Sequence, residues 1–456
     1  MKRFTVRPVA TTGRPIRLGG GQASDDWGYL GRLAEAGPVT RVLFDLSQEH
    51  VVAIVGKRGS GKSYTLGSLL EALALTDHDS PVASTDRRKA VLLFDTLGIF
   101  QWMDQPVTAA NDAEEVKRQY KAQAGWNLSG SIDVDIWRPR EAGDNPARPD
   151  RELVVRQSDL NASDWAYLLK LDLLQDRMGQ LLGDAFHKVT SEGWFEGNLE
   201  RQPNPGYGLS DLIACVNSDP EINGAYQSDT RRAVAQQLTT YSRNPVFGSD
   251  GVDLRELLRP GHLSVVVMNR MTAELRFALI TSIVRRIMRS RMEASESEKE
   301  LQLGTNMADD ERERLEKAVS DAVPPTWIAA DEAQNFLPTE RGTAASEVLV
   351  QLVREGRNMG LSFVITTQQP SSIDQRIMAQ VDLLVAHQLS VQTDIDHVRR
   401  NLKSGMPDHI RYGNHELGLD GLLRELDVGQ AVVSCTEGPR TLIIDVRPRL
   451  TVHGGF

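Results

Sequence analysis

The feature that most constrains the fold of this chain is the pattern G-x-x-x-x-G-K-S at residues 56–63. A short run of β-branched and small apolar residues, 51–55, precedes it, and a helix-compatible stretch with leucines at helical spacing, 64–75, follows. In a strand–loop–helix unit, the loop's backbone N–H groups and the helix N-terminus can surround a phosphate. The sequence therefore predicts a nucleotide-binding α/β core. The alternative, a glycine turn with a surface lysine, does not explain the flanking strand and helix.

Two side chains of this loop have specific expected roles. Lys62 would reach the β- and γ-phosphate oxygens of ATP, and the Ser63 hydroxyl would bind Mg²⁺. ATP and Mg²⁺ are therefore the expected cofactors. The expected nucleotide-binding residues are Gly56, Lys57, Arg58, Gly59, Ser60, Gly61, Lys62, Ser63 and Tyr64.

A second signature lies far downstream, where the apolar run 325–330 ends in Asp331 and Glu332. Asp331 would hold Mg²⁺ through a water, and Glu332 would orient and deprotonate the attacking water. An Asp-Glu pair alone is weak evidence, because acidic residues are favoured at any helix start. After a phosphate loop, however, the adjacent glutamate favours water as the phosphoryl acceptor over a switch or a kinase. The sequence therefore predicts ATP hydrolysis.

Two further strand ends carry polar side chains. Gln368 follows the apolar run 362–367 and could contact the γ-phosphate as a sensor, or could be a capping or surface glutamine. Asp95 ends the apolar run 90–94, at the edge of an open α/β sheet where nucleotides bind. It could contact the metal's water shell or a neighbouring subunit, or it could simply form a turn.

Arginines that could act on a neighbouring subunit lie between these strands. Arg354 and Arg357 are three residues apart and share one helix face. In a ring ATPase, one of them could reach the neighbour's γ-phosphate. The alternative is surface ion pairing with Glu347 or Glu355, and Arg376 is a weaker candidate for the contact in trans.

Composition limits the class of protein. With 40% hydrophobic and 25% charged residues among 456, the chain is typical of a water-soluble globular protein. Cys215 and Cys435 have no metal-ligand spacing, and no apolar run reaches the length of a membrane span, so we expect a cytoplasmic protein without a membrane anchor. The net charge of −10 argues against a surface that is basic all over, but it is compatible with a basic ring lumen.

Alternating strands and helices predict a mostly parallel sheet covered on both faces. We expect a small N-terminal β subdomain at 1–45, a core formed by 46–100 and 260–456, and a mainly helical insertion at 101–259. Within that insertion, 164–182 reads as one helix and 132–137 as an isolated strand. The arginines at 285, 286, 289 and 291 are interpreted as a solvated helix face or, alternatively, as a contact to nucleotide or DNA in trans.

Several segments, in this order, resemble the HerA branch of the HerA/FtsK superfamily: 29–33, 56–63, 95–98, 331–334, 354–360, 367–370 and 453–455. The resemblance implies a RecA-like P-loop NTPase that forms a homohexamer and moves double-stranded DNA through its central pore, acting with a nuclease or other effector protein. It also implies frequent membership of bacterial antiphage defence systems. Compared with the N-terminal β-barrel typical of HerA proteins, the resemblance leads us to expect a shortened one here.

Two alternatives to a DNA motor or helicase remain open at this stage. One is a hexameric scaffold whose ATP state assembles and activates a partner enzyme without needing translocation. The other is a protein-secretion or conjugation ATPase of related fold. Stimulation of ATP hydrolysis by DNA would favour the motor, and stimulation by a partner protein alone would favour the scaffold.

Overall fold

The computed structural model describes residues 2–7, 14–20, 25–77, 79–86, 88–107, 126, 128–140, 150–304, 307–335, 337 and 344–455, with only the backbone described for 344 and 345. The strands are β1 Thr5–Arg7, β2 Ile16–Leu18, β3 Trp27–Leu33, β4 Arg41–Asp45, β5 Val51–Val55, β6 Ala83–Ser84, β7 Ala90–Asp95, β8 Val134–Pro139, β9 Arg151–Leu153, β10 Val155–Arg156, β11 Trp194–Glu196, β12 Leu199–Arg201, β13 Phe247–Gly248, β14 Leu263–Val267, β15 Thr326–Ala330, β16 Leu361–Thr367, β17 Leu383–Ala386, β18 His409–Tyr412, β19 His415–Glu416, β20 Gln430–Cys435 and β21 Leu442–Val446. The α-helices of the described residues are α1 Lys62–Leu73, α2 Ala162–Leu169, α3 Arg177–His187, α4 Leu209–Ser218, α5 Pro220–Ala225, α6 Ser228–Ser242, α7 Leu254–Leu257, α8 Ala273–Leu303, α9 Asp309–Asp321, α10 Ala344–Glu355, α11 Gln375–Met378, α12 Gln392–Arg400 and α13 Leu419–Glu425.

One large sheet organises these elements, and its strand order is β2-β4-β3-β21-β20-β17-β5-β16-β15-β7-β14-β8-β9, with β6 paired to β3. From β17 to β9 every pairing is parallel. The central strands β7, β14, β15 and β16 are buried along their whole length, as expected for a parallel sheet covered on both faces. The predicted fold class, a RecA-like α/β core with a mostly parallel sheet, is confirmed.

The strand order decides which loops meet. Strand β16 lies between the phosphate-loop strand β5 and strand β15, which Asp331 directly follows. Because these three strands are parallel, the loops at their carboxyl ends meet at one edge of the sheet.

Strands β1 to β4 lie within residues 1–45, where the sequence predicts β structure. Strands β2, β3 and β4 extend the same large sheet, because β3 pairs with β21 of the C-terminal hairpin. The division into subdomains at 1–45, 46–100 with 260–456, and 101–259 stays a prediction.

Two local predictions are wrong. The strand expected to be isolated at 132–137 is β8, which pairs in parallel with β14 and so joins the large sheet. The single helix expected over 164–182 is two helices, α2 and α3. Lys170 ends α2 in a left-handed conformation with φ 57°, and the turn that follows is closed by the Asp172 and Asp176 carboxylates. Apolar spacing alone does not reveal such a turn.

Among the described residues, the helices fall short of the length or the apolar composition that a membrane-crossing helix needs.

A buried ion-pair cluster fastens the C-terminal segment to α1. Glu71 is fully buried and lies 2.9 Å from Arg447 Nη1 and 3.3 Å from Arg449 Nε. It also accepts hydrogen bonds from the backbone N–H groups of Leu450 and Thr451. Burial by itself would raise the pKa of Glu71, but the two guanidinium groups and these hydrogen bonds hold the pKa below its ordinary value. Glu71 is therefore an ionised link between the phosphate-loop helix and the chain's C-terminal segment.

Replacing Glu71 with Ala is expected to destabilise the protein strongly, because two buried guanidinium groups lose their counter-charge. The expected loss is about 3–5 kcal/mol in the free energy of unfolding, measured by urea denaturation. The control is Glu316→Ala, which removes an exposed pair with Arg312 on α9 and should change the free energy of unfolding by less than about 0.5 kcal/mol. Equal effects of the two substitutions would contradict the assignment.

Candidate active site

The phosphate loop is held open by its glycines and by its neighbours. Gly59 and Gly61 have φ 75° and 114°, which favour glycine, and a Cβ at Gly56 would lie 2.6 Å from Ser60 Oγ and 2.7 Å from His387 Cβ. The N–H of Gly56 donates to the Thr367 carbonyl, 3.3 Å away, which ties the loop to the end of β16. Helix α1 begins at Lys62, directly after the loop, so its free N–H groups face the phosphate site.

Lys62 lies inside this loop and is 4% exposed. Its Nζ donates to the Lys57 carbonyl, 3.3 Å away. Burial lowers the pKa of Lys62, while the charges of Glu332 and Asp331 act in the opposite direction. The ammonium group is therefore within electrostatic range of the acidic pair predicted from the sequence.

Asp331 directly follows β15 and is completely buried. Its Oδ1 accepts a hydrogen bond from Thr366 Oγ1 at 2.6 Å, whereas Oδ2 has no partner among the described residues. Burial raises the pKa of Asp331 to about 7, and the charges of Asp95 and Glu332 contribute in the same direction. A buried, unpaired carboxylate oxygen in this acidic setting suits a hard divalent cation or the water that it carries. The Asp331 carboxylate, together with the Ser63 hydroxyl in the first turn of α1, therefore fits Mg²⁺.

Glu332 is held by two side-chain amides. Its Oε1 accepts from Gln368 Nε2 and its Oε2 accepts from Gln334 Nε2, each at 2.6 Å. Glu332 is 3% exposed and has φ 52°, an unusual conformation for a residue with a side chain. Such backbone strain is concentrated at functional sites, where the surroundings fix it. The structure thus places Gln368 against Glu332.

Asp95 forms a turn. Its Oδ1 accepts hydrogen bonds from the N–H groups of Leu97, Gly98 and Ile99, and its Oδ2 accepts one from Phe100. Burial raises the pKa of Asp95 to about 6, and these hydrogen bonds oppose that rise. Of the two interpretations drawn from the sequence, this geometry favours the turn.

The candidate arginines lie at the other edge of the sheet. Arg357 Nη2 is 3.3 Å from Asp382 Oδ2, and Asp382 in turn accepts a hydrogen bond from the N–H of Val51, the first residue of β5. Arg354 lines a surface pocket together with Arg357 and Asp382. It is exposed and makes no hydrogen bond or ion pair within the part of the chain that the structure describes. Because β5 spans about 16 Å, neither arginine can reach the phosphate loop of its own chain.

Arg376 is fixed by ion pairs with Asp374 and Glu347, at 2.7 Å and 2.8 Å. The surface pairing that the sequence suggested with Glu347 therefore belongs to Arg376, whereas Arg357 pairs with Asp382.

The run of arginines on α8 is only in part a solvated face, because Arg289 is exposed whereas the others are paired or buried. Arg285 pairs with Asp164 at 2.6 Å. Arg291 is 3% exposed, and its Nε donates to the Met359 carbonyl at 2.8 Å. Ser295, one turn further along α8, donates to the Asn358 carbonyl at 2.6 Å. Arg291 and Ser295 thus fix the turn that follows Arg354, a role that the charge pattern did not reveal.

His387 is a second residue that the sequence analysis missed. It follows β17, is buried, and lies with Nε2 2.8 Å from Thr65 Oγ1 and Nδ1 2.8 Å from the Gln430 carbonyl. Burial lowers the pKa of His387 to about 4, so the ring is neutral at pH 7, with Nδ1–H donating and Nε2 accepting. His387 therefore packs against the phosphate loop at Gly56 and binds Thr65 in the first turn of α1. His387 directly follows β17, the strand that pairs with β5, and this position could have indicated its role. Recognising it requires knowledge of the strand order, which the sequence alone does not provide.

Replacing Lys62 with Ala is expected to weaken ATP binding by about 10- to 100-fold, because a charge-assisted contact to phosphate is lost. The measurement is titration of a fluorescent ATP analogue in the presence of Mg²⁺. Lys299→Ala, at an exposed position on α8, is the control and should leave the affinity unchanged. If Lys62→Ala binds the ATP analogue with unchanged affinity, this loop is not the nucleotide-binding site.

Comparison with known proteins agrees with this geometry. Residues 29–287, more than half of the chain, match the family model described as "Helicase HerA, central domain". A probable helicase of Methanocaldococcus jannaschii is 25% identical over 127 residues, 27% of this chain and 23% of that protein. The DNA double-strand break repair helicase HerA of Pyrococcus furiosus is 20% identical over 175 residues, 37% of this chain and 32% of the relative. The matched regions thus span about a quarter to a third of these relatives.

Among solved structures, VirB4 of Thermoanaerobacter pseudethanolicus superimposes with a TM-score of 0.53 at 13% identity, over 94% of this chain and 98% of that one. This likeness shows the shared RecA-like fold. Taken with the family match, it agrees with the phosphate loop and the buried acidic pair at the strand ends. The chain belongs to the HerA family of P-loop ATPases.

Proposed function

We propose that this protein is an ATP-hydrolysing ring motor that moves on or unwinds double-stranded DNA. The observation that carries the proposal is the meeting of Lys62, Asp331, Glu332 and Gln368 at the carboxyl edge of three adjacent parallel strands. Such a set binds a nucleoside triphosphate and activates water against it. The DNA substrate is inferred from the family and from the printed name of the Pyrococcus relative, a DNA double-strand break repair helicase.

Each side chain has one task in the proposed hydrolysis. Lys62 binds the β- and γ-phosphate oxygens, and Glu332 accepts the proton of the attacking water at its carboxylate. Mg²⁺, when bound near Ser63 and Asp331, would neutralise developing phosphate charge. Gln368 donates to Glu332, and a γ-phosphate oxygen would compete for the same amide. The position of the Gln368 amide would then depend on the nucleotide state.

The ring is inferred from the position of the arginines. Arg354 and Arg357 lie at the edge opposite to their own phosphate loop, so they can complete an active site only on another subunit. We therefore infer a homohexamer, as the family resemblance implies, with DNA in the central pore. A nuclease or other effector partner, a place in antiphage defence and a cytoplasmic location complete the proposal.

Translocation can be measured directly by displacement of a triplex-forming oligonucleotide from a blunt duplex, with native mass recorded in parallel. The proposal predicts a hexamer that displaces the oligonucleotide only with ATP and Mg²⁺. A hexamer that hydrolyses ATP without displacing it, and whose hydrolysis responds to a partner protein but not to DNA, would support the scaffold instead.

A further inference from the structure

Gln334, two residues after Glu332, has an unusual hydrogen-bonding state. Its Nε2 donates to Glu332 Oε2 at 2.6 Å, but its Oε1 is buried and has no partner among the described residues. A buried amide oxygen without a partner is destabilising, because its hydrogen bonds to water are lost and not replaced. Such an atom next to a catalytic group calls for a specific explanation, and a bound water is the usual one.

The hydrogen bonds around Glu332 suggest one role for that oxygen. The two amides of Gln368 and Gln334 use one acceptor position on each carboxylate oxygen of Glu332, and each oxygen retains a second lone pair. A water that donates one O–H to Glu332 and the other to Gln334 Oε1 would satisfy the unpaired amide oxygen. With both protons engaged, the lone pairs of this water point away from the two acceptors and remain available for attack.

We propose that Gln334 is a positioning residue that orients the attacking water together with Glu332. This inference rests on the proposed function, hydrolysis of ATP at this site. In the step, the water oxygen forms a bond to the γ-phosphorus while the bond from that phosphorus to the β–γ bridging oxygen breaks. The electron pair leaves with ADP, one water proton goes to the Glu332 carboxylate, and Gln334 is unchanged.

A purely structural role for Gln334 makes a different prediction. The residue lies in the short 3₁₀ turn Ala333–Asn335, and an amide that only supported this turn would affect stability and nucleotide binding together. A residue that orients water acts after ATP has bound. The two roles are therefore separated by comparing kcat with ATP affinity.

The test compares Gln334→Met, which keeps the side-chain length but removes the amide, with wild type and with the control Asn335→Ala in the same turn. We expect Gln334→Met to lower kcat by about 10- to 100-fold, which is less than the full contribution of the general base Glu332. KM and the Kd of a fluorescent ATP analogue should change by less than about threefold. Asn335 is exposed, so its substitution should leave both constants unchanged. If Gln334→Met does not fold, Gln334→Asn, whose amide is one methylene shorter, should lower kcat in the same selective way.

The possible failures are distinguishable. The role of Gln334 would be overturned if Gln334→Met were as active as an active wild type. It would also be overturned if weaker ATP binding fully explained the loss of activity in Gln334→Met. Both results would leave the proposed function intact. Wild type that binds ATP without hydrolysing it would overturn both.

Discussion

Replacing Glu332 with Gln is expected to lower the rate of ATP hydrolysis by about 10²- to 10⁴-fold, the usual contribution of a general base. The amide has the same shape as the carboxylate but cannot accept the water's proton. Because Lys62, Asp331 and the phosphate loop are untouched, ATP binding should be retained or tightened. The variant should therefore remain in the ATP-bound state, which quench-flow and analogue binding can measure together.

The control for this substitution is Glu300→Gln, at an exposed position on α8. It changes net charge by the same amount and should leave hydrolysis unaltered. Full activity of Glu332→Gln would show that another group accepts the proton, and the roles given to Gln334 and Gln368 would fall with it.

Replacing Arg354 or Arg357 with Ala is expected to lower the hydrolysis rate in the assembled ring by about 10³- to 10⁵-fold for the residue that contacts the neighbour's γ-phosphate. Arg354 is the stronger candidate, because Arg357 is paired with Asp382 while Arg354 has no partner within the described residues. ATP affinity of the isolated subunit should not change. Arg312→Ala, at an exposed arginine on α9, is the control and should behave as wild type.

Mixed rings show whether the contact is made in trans. Subunits with Arg354→Ala and subunits with Lys62→Ala are each expected to be inactive alone. Co-expressed, they create interfaces in which an intact Lys62 faces an intact Arg354, so hydrolysis should return. The same experiment is repeated with Arg357→Ala in place of Arg354→Ala. If neither co-expression restores ATP hydrolysis, the arginines do not act across the interface.

Much of the site could be predicted from the sequence, because its residues follow buried apolar strands. Lys62, Asp331 and Gln368 each occupy the carboxyl end of such a strand or the loop directly after it. In a parallel sheet those ends lie at one edge, whatever the detailed strand order. The same reasoning located most strands, since strands buried on both faces are continuous apolar runs.

The interactions that support the site could not be predicted, because they join distant parts of the chain. Glu71 meets Arg447 across 376 positions, and His387 meets Thr65 across 322. Each looks locally like an ordinary polar residue, and only the sheet order brings the partners together. Arg291 shows the same limit, since its place in a charge run suggested solvent exposure when its guanidinium is in fact buried against a backbone carbonyl.

The measurement that tests the central claim most directly is steady-state ATP hydrolysis by the purified protein, with and without duplex DNA, with native mass recorded on the same sample. Lys62→Ala and Glu332→Gln are measured alongside. The account predicts hydrolysis by a hexamer, stimulated several-fold by DNA and lost in both variants. Hydrolysis that is indifferent to DNA, or a monomer that does not hydrolyse ATP, would contradict the proposal of a DNA motor.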